Sequence, residues 1–272
     1  MVGARTRGKN DQMSASLRAL DLALLNSVTK YPSIATHHAL DPSNGRLTDE
    51  PTQFAGQVIG TEKVDGTNAR IIAMPDGGYV IGSREELLYG RGDLIRNKAL
   101  GIVDALQPLA EMIGDRQRDG VEIYFFEVFG GKVTGASKQY TTDQSVSVRM
   151  FDVVRLGDIE PLLARSPGDV SSWRENGGQP FVDEEALQTI AADLGVALTP
   201  RLFALDGSTL PRDIPGMAAF LQERLPKSLS TLDEQAEGKP EGIVLRAPDR
   251  SVISKARFED YARTLRVKPA RG

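Results

Sequence analysis

The sequence predicts an α+β fold, and three observations carry that prediction. Short β-branched and aromatic runs recur along the chain, cut by tight-turn signals at Asp65-Gly66, Pro75-Asp76-Gly77-Gly78 and Pro248-Asp249. Between them lie segments with apolar residues at helical spacing, opened by Ser or Asp and in one case closed by Gly. No repeat or clear linker divides the 272 residues, which suffice for one large domain or two small ones with a real core. Strands of antiparallel type mixed with intervening helices define the class.

The elements follow in order. Residues 1–13 read as a polar tail, and Ser14 caps a helix to about Val28 with Leu17, Leu20, Leu24, Leu25 and Val28 on one face. Tyr31-Pro32-Ser33 ends it, and residues 32–54 read as a long loop. From Gln57 to Gly82, Val58, Ile59, Val64, Ile71, Ile72, Val80 and Ile81 fall in strand-length runs. Asp93 opens a helix through about Ile113, followed by strands over Val121–Val128 and Val146–Leu156. Ser166–Pro180 reads as polar loop, and Asp183 caps a helix to about Leu194 that Gly195 closes. A helix over Pro215–Leu225, short strands at Gly242–Arg246 and Ser251–Ser254, and a helix over Phe258–Leu265 complete the chain.

Composition excludes several functions. Lys and Arg number 33 against 37 Asp and Glu, so a net charge of −4 rules out a globally basic nucleic-acid coat. Cys is absent, which removes disulfides, thiolate metal sites and a Cys nucleophile. The two His, His37 and His38, are adjacent in the predicted loop and read as surface groups, against a His-rich metal site or a Ser-His-Asp triad. No apolar run approaches the roughly 18 residues of a membrane span, and the N-terminus lacks a signal-peptide pattern. A soluble cytoplasmic protein is expected. The charge is uneven: from Arg250 to the end the chain carries +5, and the remainder −9. A basic end on an acidic body points to a face that meets an anion, or to a solvated helix.

Four segments carry candidate chemistry. Glu62-Lys63-Val64-Asp65-Gly66-Thr67-Asn68-Ala69-Arg70 places a Lys at a strand end before an Asp-Gly turn. Such a turn can hold the amine in a cleft, with the next strand returning Asn68 and Arg70 nearby; an ordinary hairpin with exposed charges fits equally. Glu127 lies in the apolar strand Val121–Gly131, on the face of Ile123 and Phe125, where an acid needs a partner or a ligand. Glu241 stands beside Gly242, which permits close approach, at the start of a strand. Lys255 and Arg257 end another strand and project from one face. Phe125, Phe129 and Trp173 read as packing residues, and Gly130-Gly131 is too short for a phosphate loop.

Taken in order, Lys63-x-Asp65-Gly66-x-Asn68, Phe126-Glu127-x-Phe129-Gly130, Met150-Phe151-Asp152, Glu241-Gly242-Ile243-Val244 and Lys255-x-Arg257 resemble the covalent nucleotidyltransferase superfamily. Within it the likeness is to ATP-dependent RNA ligases of the phage RNA ligase 2 type, over about Tyr31 to Arg266. The resemblance implies an ATP-grasp-like ligase adenylation domain of two antiparallel sheets that enclose the nucleotide, flanked by helices, with Lys63 between them. It implies an N-terminal tail and helix over 1–30, the nucleotidyltransferase domain over 31–266, a tail over 267–272, and no separate C-terminal RNA-binding domain. Asn68 stands where DNA ligases and capping enzymes typically carry Arg, which favours RNA ends and ATP over DNA ends or GTP.

Roles follow from the resemblance. Lys63 would attack the α-phosphate of ATP, release pyrophosphate and form lysyl-AMP. Its amine must first become neutral, since free Lys titrates near pH 10.4, and burial or cations such as Lys255 would promote that form. Lys255 and Arg257 would stabilise charge on the α-phosphate. Glu241 would position a divalent metal, Mg²⁺ or Mn²⁺. Glu127 would contact the ribose, and Arg84 the ribose or an RNA phosphate. Glu62, Asp65 and Asn68 complete the nucleotide-binding set, Asn68 serving RNA-end chemistry in particular. AMP would pass to a 5′-phosphate, and a 3′-hydroxyl would then join the RNA ends, possible work for RNA repair with an RNA-binding or end-healing partner protein. Three features depart from the family. The usual Lys-x-Lys is Lys255-Ala256-Arg257; the adenine-stacking position three before Phe151 is Val148; and only seventeen residues follow Lys255. They leave two alternatives: a self-adenylating enzyme that needs a partner or another acceptor, and a catalytically dead nucleotide- or RNA-binding module. A DNA ligase or capping-type guanylyltransferase is the runner-up class.

Overall fold

The structure is a computed structural model that describes residues 17–91 and 101–266. Two antiparallel sheets face each other, as the resemblance implies. The larger has five strands, in the order β6 (Leu87–Gly90), β5 (Tyr79–Ser83), β4 (Thr67–Ala73), β7 (Val121–Gly130) and β8 (Val146–Leu156). The smaller has four, in the order β11 (Ile253–Arg257), β10 (Gly242–Arg246), β3 (Gln57–Lys63) and β9 (Arg201–Asp206). A separate hairpin joins β1 (His38–Leu40) to β2 (Leu47–Pro51).

Period-two alternation decides what each face does. In β4, Ala69, Ile71 and Ala73 turn to a core shared with Tyr124, Phe126 and Val128 and with helices α2 (Ile102–Gly114) and α5 (Glu184–Leu194). On the other face, Ile72, Ile123, Phe125 and Val154 pack with Leu25 and Val28 of α1 (Leu22–Thr29), Leu162 of the one-turn helix α3 (Glu160–Leu163) and Val170 of α4 (Pro167–Glu175). The four-stranded sheet turns Val58, Ile243, Leu245 and Ala256 outward, onto α6 (Ile214–Arg224) and α7 (Phe258–Leu265). Its inner face carries Thr61, Lys63, Val244, Arg246 and Lys255, and that face opens on a cleft.

Local chemistry explains most boundaries. Asp183 accepts from the Ala186 N–H at 2.8 Å, and Gly195 ends α5 at φ +62°, as the cap pattern predicts. Asp213 caps α6 in the same way, with Pro215 in its first turn. Strand β8 and helix α7 match their predicted spans.

Several segments differ from expectation. The first predicted helix is cut: a short 3₁₀ turn spans Leu17–Ala19, and α1 starts only at Leu22, because Asp21 caps it by accepting from Ala23 and Leu24. Ser14 lies outside the described residues, as does Asp93; α2 begins at Ile102, with Gly101 as its N-cap at φ +69°. The polar stretch after Ser166 is not a loop but α4, whose N-cap is Ser166 itself and whose first residue is Pro167. Trp173 packs from it into the core beside α1, a packing residue as expected. Strand β9 carried no clear signal, since Phe203 and Leu205 are only partly buried there.

Residues 32–54 are the largest correction. Ala35–His37 lie along the outer edge of β11: the Lys255 N–H donates to the Ala35 carbonyl at 2.9 Å, and the His37 N–H to the Lys255 carbonyl at 2.8 Å. That pairing buries both His. His38 Nδ1 and the Tyr261 hydroxyl are 2.7 Å apart, and Nε2 stands 2.9 Å from the Arg212 carbonyl. His37 Nδ1 lies 3.3 Å from Ser254 Oγ. Burial, reinforced by His38, lowers the His37 pKa from 6.5 to about 4. Neutral His37 therefore supports the fold above pH 6.5, and that support is lost as pH falls through about 4. We expect Tm to fall more steeply in wild type than in His37→Asn across this window, by up to about 3 kcal/mol in unfolding free energy. Calorimetric scans at stepped pH check this, and parallel profiles would contradict it.

Candidate active site

Strands β3 and β4 are consecutive, yet they belong to different sheets. The segment Val64-Asp65-Gly66 is therefore not a hairpin turn but the link between the two sheets, and Lys63 stands at its entrance. The link is tied down at each residue. Val64 is buried, the Asp65 N–H donates to the Tyr140 hydroxyl at 2.5 Å, and the Gly66 N–H donates to Glu127 Oε1 at 3.0 Å. A Cβ at Gly66 would stand 2.3 Å from the Val128 carbonyl oxygen, so only glycine lets the link approach β7 so closely.

A cleft of about 420 Å³ lies between the sheets. Lys63 Nζ sits 2.5 Å from Glu241 Oε2, with both side chains largely shielded from solvent. Pairing aligns Lys63 with Gly242, and Gly242 in turn with Arg257. A Cβ at the middle position would stand 2.2 Å from the Ala256 carbonyl oxygen, so Gly242 lets β11 approach β10 closely beside the amine. Burial raises the Glu241 pKa, against the pull of the Lys63 ammonium. Burial pushes the Glu127 carboxyl up to about 8; Lys63 opposes that shift and Glu241 adds to it. Lys255, one row along, faces the same cleft. Its pKa is lowered by burial first, then by Arg257, Lys63 and Arg84.

The predicted residues divide into two groups. Lys63, Asn68, Arg84, Glu127 and Lys255 are gathered around the cleft, and Glu241 reaches Lys63 from its edge. Asn68 stands opposite Glu127 across β4 and β7, and among the described residues its Oδ1 is buried without a hydrogen-bond partner. Arg84 sits at the exposed rim. The side chains of Glu62 and Arg257 are engaged elsewhere. Glu62 borders the cleft, but alternation turns its carboxylate to the opposite face of β3. There it accepts from Ser228 Oγ at 2.5 Å, the Leu229 N–H at 2.9 Å and Ser230 Oγ at 3.1 Å. Burial raises its pKa despite those bonds. Asp65 holds the link through its backbone. Arg257 is clamped by Asp260, at 2.8 and 3.1 Å, which raises its pKa against desolvation; its charge still reaches Glu241. Arg70 does not return to Lys63: it is buried on the carbonyl of Ser83 and on Asn26 of α1.

Other lining residues lie outside the predicted set of site residues. Val148 packs against the α2–α5 core, so it is not the residue that faces a base. The aromatic side chains in the cleft are Phe151 and Tyr31, which meet edge to face at 5.0 Å. Tyr31 to Ile34 form one wall of the cleft, a role invisible in a segment read as loop. Behind them lies a buried polar network. Asp152 Oδ2 accepts from the Tyr31 hydroxyl at 2.6 Å and from Arg250 Nε at 2.9 Å, and Asp152 Oδ1 stands 3.2 Å from Arg246 Nη1. Arg250 also stacks over the Phe181 ring at 4.2 Å. Asp152, Arg246 and Arg250 are all less than a tenth exposed. Removal of the carboxylate strands two buried guanidinium groups, so Asp152→Ala should lower unfolding free energy by roughly 3–5 kcal/mol, read from urea denaturation. A loss below about 1 kcal/mol would show that the ion pairs are dispensable.

Two facing antiparallel sheets with a lysine-bearing cleft between them are the fold that the resemblance implies. In structure the chain is similar to Naegleria gruberi RNA ligase with PPi, at a TM-score of 0.50 and 15% identity over 86% of this chain and 63% of that one. It is similar to an archaeal ATP-dependent RNA ligase at a TM-score of 0.50 and 14% identity, over 85% of this chain and 49% of that one. A Naegleria gruberi RNA ligase variant with ATP and Mn gives a TM-score of 0.50 and 14% identity, covering 85% of this chain and 62% of that one. The chain thus spans between about half and two thirds of these structures. No curated protein matches it in sequence. The RNA ligase family model matches residues 56–262, and the chain belongs to the RNA ligase family.

Proposed function

We propose that this chain is an ATP-dependent RNA ligase that joins 5′-phosphate and 3′-hydroxyl RNA ends through lysyl-AMP on Lys63. The observation that carries the reading is the Lys63 amine, held at the junction of two sheets beside Glu241 and open to a nucleotide-sized cleft. Family membership supports the same chemistry. So do the structural relatives, one with PPi and one with ATP and Mn.

The steps use this chain's own groups. The Lys63 ammonium gives a proton to water in the cleft, and the Glu241 carboxylate in contact with it orients the amine. The amine then attacks the α-phosphorus in line, an N–P bond forms, and the bond to pyrophosphate breaks. Lys255 faces the developing charge on the phosphate oxygens. A 5′-phosphate oxygen of RNA next displaces the lysine amine, which takes up a proton. Last, the 3′-hydroxyl attacks the 5′-phosphorus, a proton leaves the hydroxyl, and AMP departs. Glu127 on β7 and Asn68 on β4, facing each other across the sheet, would hold the ribose and the RNA end.

A divalent cation fits the donor set. Among the described residues no three His, Cys, Asp or Glu side chains converge on one point. Mg²⁺ or Mn²⁺ takes oxygen ligands and is commonly held by one or two carboxylates together with substrate phosphates. Glu241 would supply the carboxylate, and the bound cation would neutralise phosphate charge. Residues 31–266 form the catalytic domain in this reading, and α1 packs onto it. Among the described residues no helix is long and apolar enough to cross a membrane. The reading places the chain with its RNA and ATP in the cytoplasm.

Incubation with α-labelled ATP and Mg²⁺, followed by a denaturing gel, tests the proposal. We expect an acid-labile label on wild type and none on Lys63→Ala. Equal labelling of Lys63→Ala would overturn the assignment. Glu241→Gln and Lys255→Met should each slow single-turnover labelling by about a hundredfold or more while the fold survives. Sealed product from 5′-phosphorylated RNA separates a complete ligase from one that needs a partner or another acceptor.

A further inference from the structure

Helix α1 precedes residues 56–262, the part of the chain that the family model matches, yet it grips the turn that carries Arg84. The grip runs through Arg70. That side chain is fully buried, on the same face of β4 as Asn68 two residues before it. Its Nη1 donates to the Ser83 carbonyl at 2.5 Å and to the Arg84 carbonyl at 3.4 Å. Its Nη2 donates to Asn26 of α1, to the carbonyl at 3.3 Å and also to Oδ1. These acceptors are all amide oxygens. To bury a guanidinium on such partners is costly, and what the rigid planar fork gives in return is specific. It fixes two separate segments, α1 and the turn after β5, to one another. Gly82 makes room for it, since a Cβ there would stand 3.3 Å from Arg70 Cζ and 3.1 Å from the Glu86 carbonyl oxygen.

Two further links join the same partners. Asn26 Nδ2 donates to the Glu85 carbonyl at 2.9 Å, and Lys30 Nζ, at the end of α1, stands 2.9 Å from Glu85 Oε2. The turn also closes on itself: the Ser83 N–H donates to the Glu86 carbonyl at 2.8 Å, and Ser83 Oγ accepts from the N–H groups of Glu85 and Glu86. Ser83 and Glu85 are thus held on either side of Arg84. The Arg84 side chain itself stays exposed, 3.6 Å from Glu85 Oε1, and lines the cleft with Asn68 and Glu127. A cation whose backbone is fixed beforehand has less freedom to lose when it meets an anion. We propose that α1 is a positioning element of the active site: through Asn26 and Arg70 it sets the turn so that Arg84 meets a phosphate group of the ligand in the cleft. This rests on the reading of the cleft as a site for ATP and RNA ends, and the phosphate belongs to one or the other.

A double-mutant cycle on binding separates positioning from plain stability. Lys63→Ala protein, which cannot form the covalent intermediate, is titrated by calorimetry with ATP and, separately, with a 5′-phosphorylated RNA oligonucleotide. Arg84→Ala should weaken one of the two ligands about tenfold or more, the effect of a hydrogen bond to a charged group, and so identify the source of the phosphate. Asn26→Ala, its fold checked by circular dichroism, should weaken the same ligand about fivefold. With Arg84 already replaced, Asn26→Ala should cost no more than about twofold further, because it acts through Arg84. Asn26→Ser serves if the Ala variant does not fold. Losses that multiply in the double variant would overturn the proposal, as would unchanged binding of both ligands by Arg84→Ala or by the Asn26 variant. Wild-type labelling by ATP without this coupling would sink the inference alone. Coupling without labelling would sink the ligase chemistry and leave the positioning intact. Binding of neither ligand would overturn both.

Discussion

Three residues must carry the chain from one sheet to the other, and most of the site follows from that constraint. Lys63 closes β3 in the four-stranded sheet and Thr67 opens β4 in the five-stranded one. The link between them is short, so the sheets are held close where it crosses, and the amine at its entrance cannot leave the gap. Tyr140 and Glu127 bind its two central N–H groups, and Gly66 lets it pass against β7. A side chain there would push the link off β7. Glu127 thus has a double function: it anchors the link through one oxygen and faces the cleft.

Electrostatics completes what the link positions. The cleft mixes buried charges of both signs at short range, and neither sign is fully at ease. Burial raises the affinity of Glu127 and Glu241 for protons and lowers that of Lys255. Opposed shifts of this kind gather where functional sites lie. In the Asp152 cluster behind the cleft, Asp152 Oδ2 is paired with Tyr31 and Arg250, while Asp152 Oδ1 and the Arg246 Nε and Nη2 lack hydrogen-bond partners among the described residues.

The segment before β1 belongs to the site as much as any strand does. Tyr31 joins the Asp152 cluster on the five-stranded side, and Ala35–His37 zip along β11 on the other. The segment therefore spans both sheets and closes one end of the cleft between them. It also covers the edge of β11 beside Lys255, whose N–H and carbonyl it pairs. The position of that cation depends on a part of the chain more than two hundred residues away in sequence.

The sequence by itself determined the strand and helix cores, because period-two and helical patterns are local and so are caps such as Asp183 and Asp213. The order of five short motifs was enough to bring Lys63, Asn68, Glu127, Glu241 and Lys255 into one site. Tertiary structure decided what depends on contacts distant in sequence. It turned Glu62 onto Ser228–Ser230 and Arg257 onto Asp260, set Val148 in the core, and buried His37 and His38 against β11. It also decided that Lys63 and Asp65 mark a crossing between sheets rather than a hairpin, and that Tyr31, Phe151 and Arg246 line the cleft. A Lys-x-Asp-Gly turn is the same string of residues in either case. Only the pairing of β3 with β10, and of β4 with β7, tells them apart, and those partners lie far along the chain.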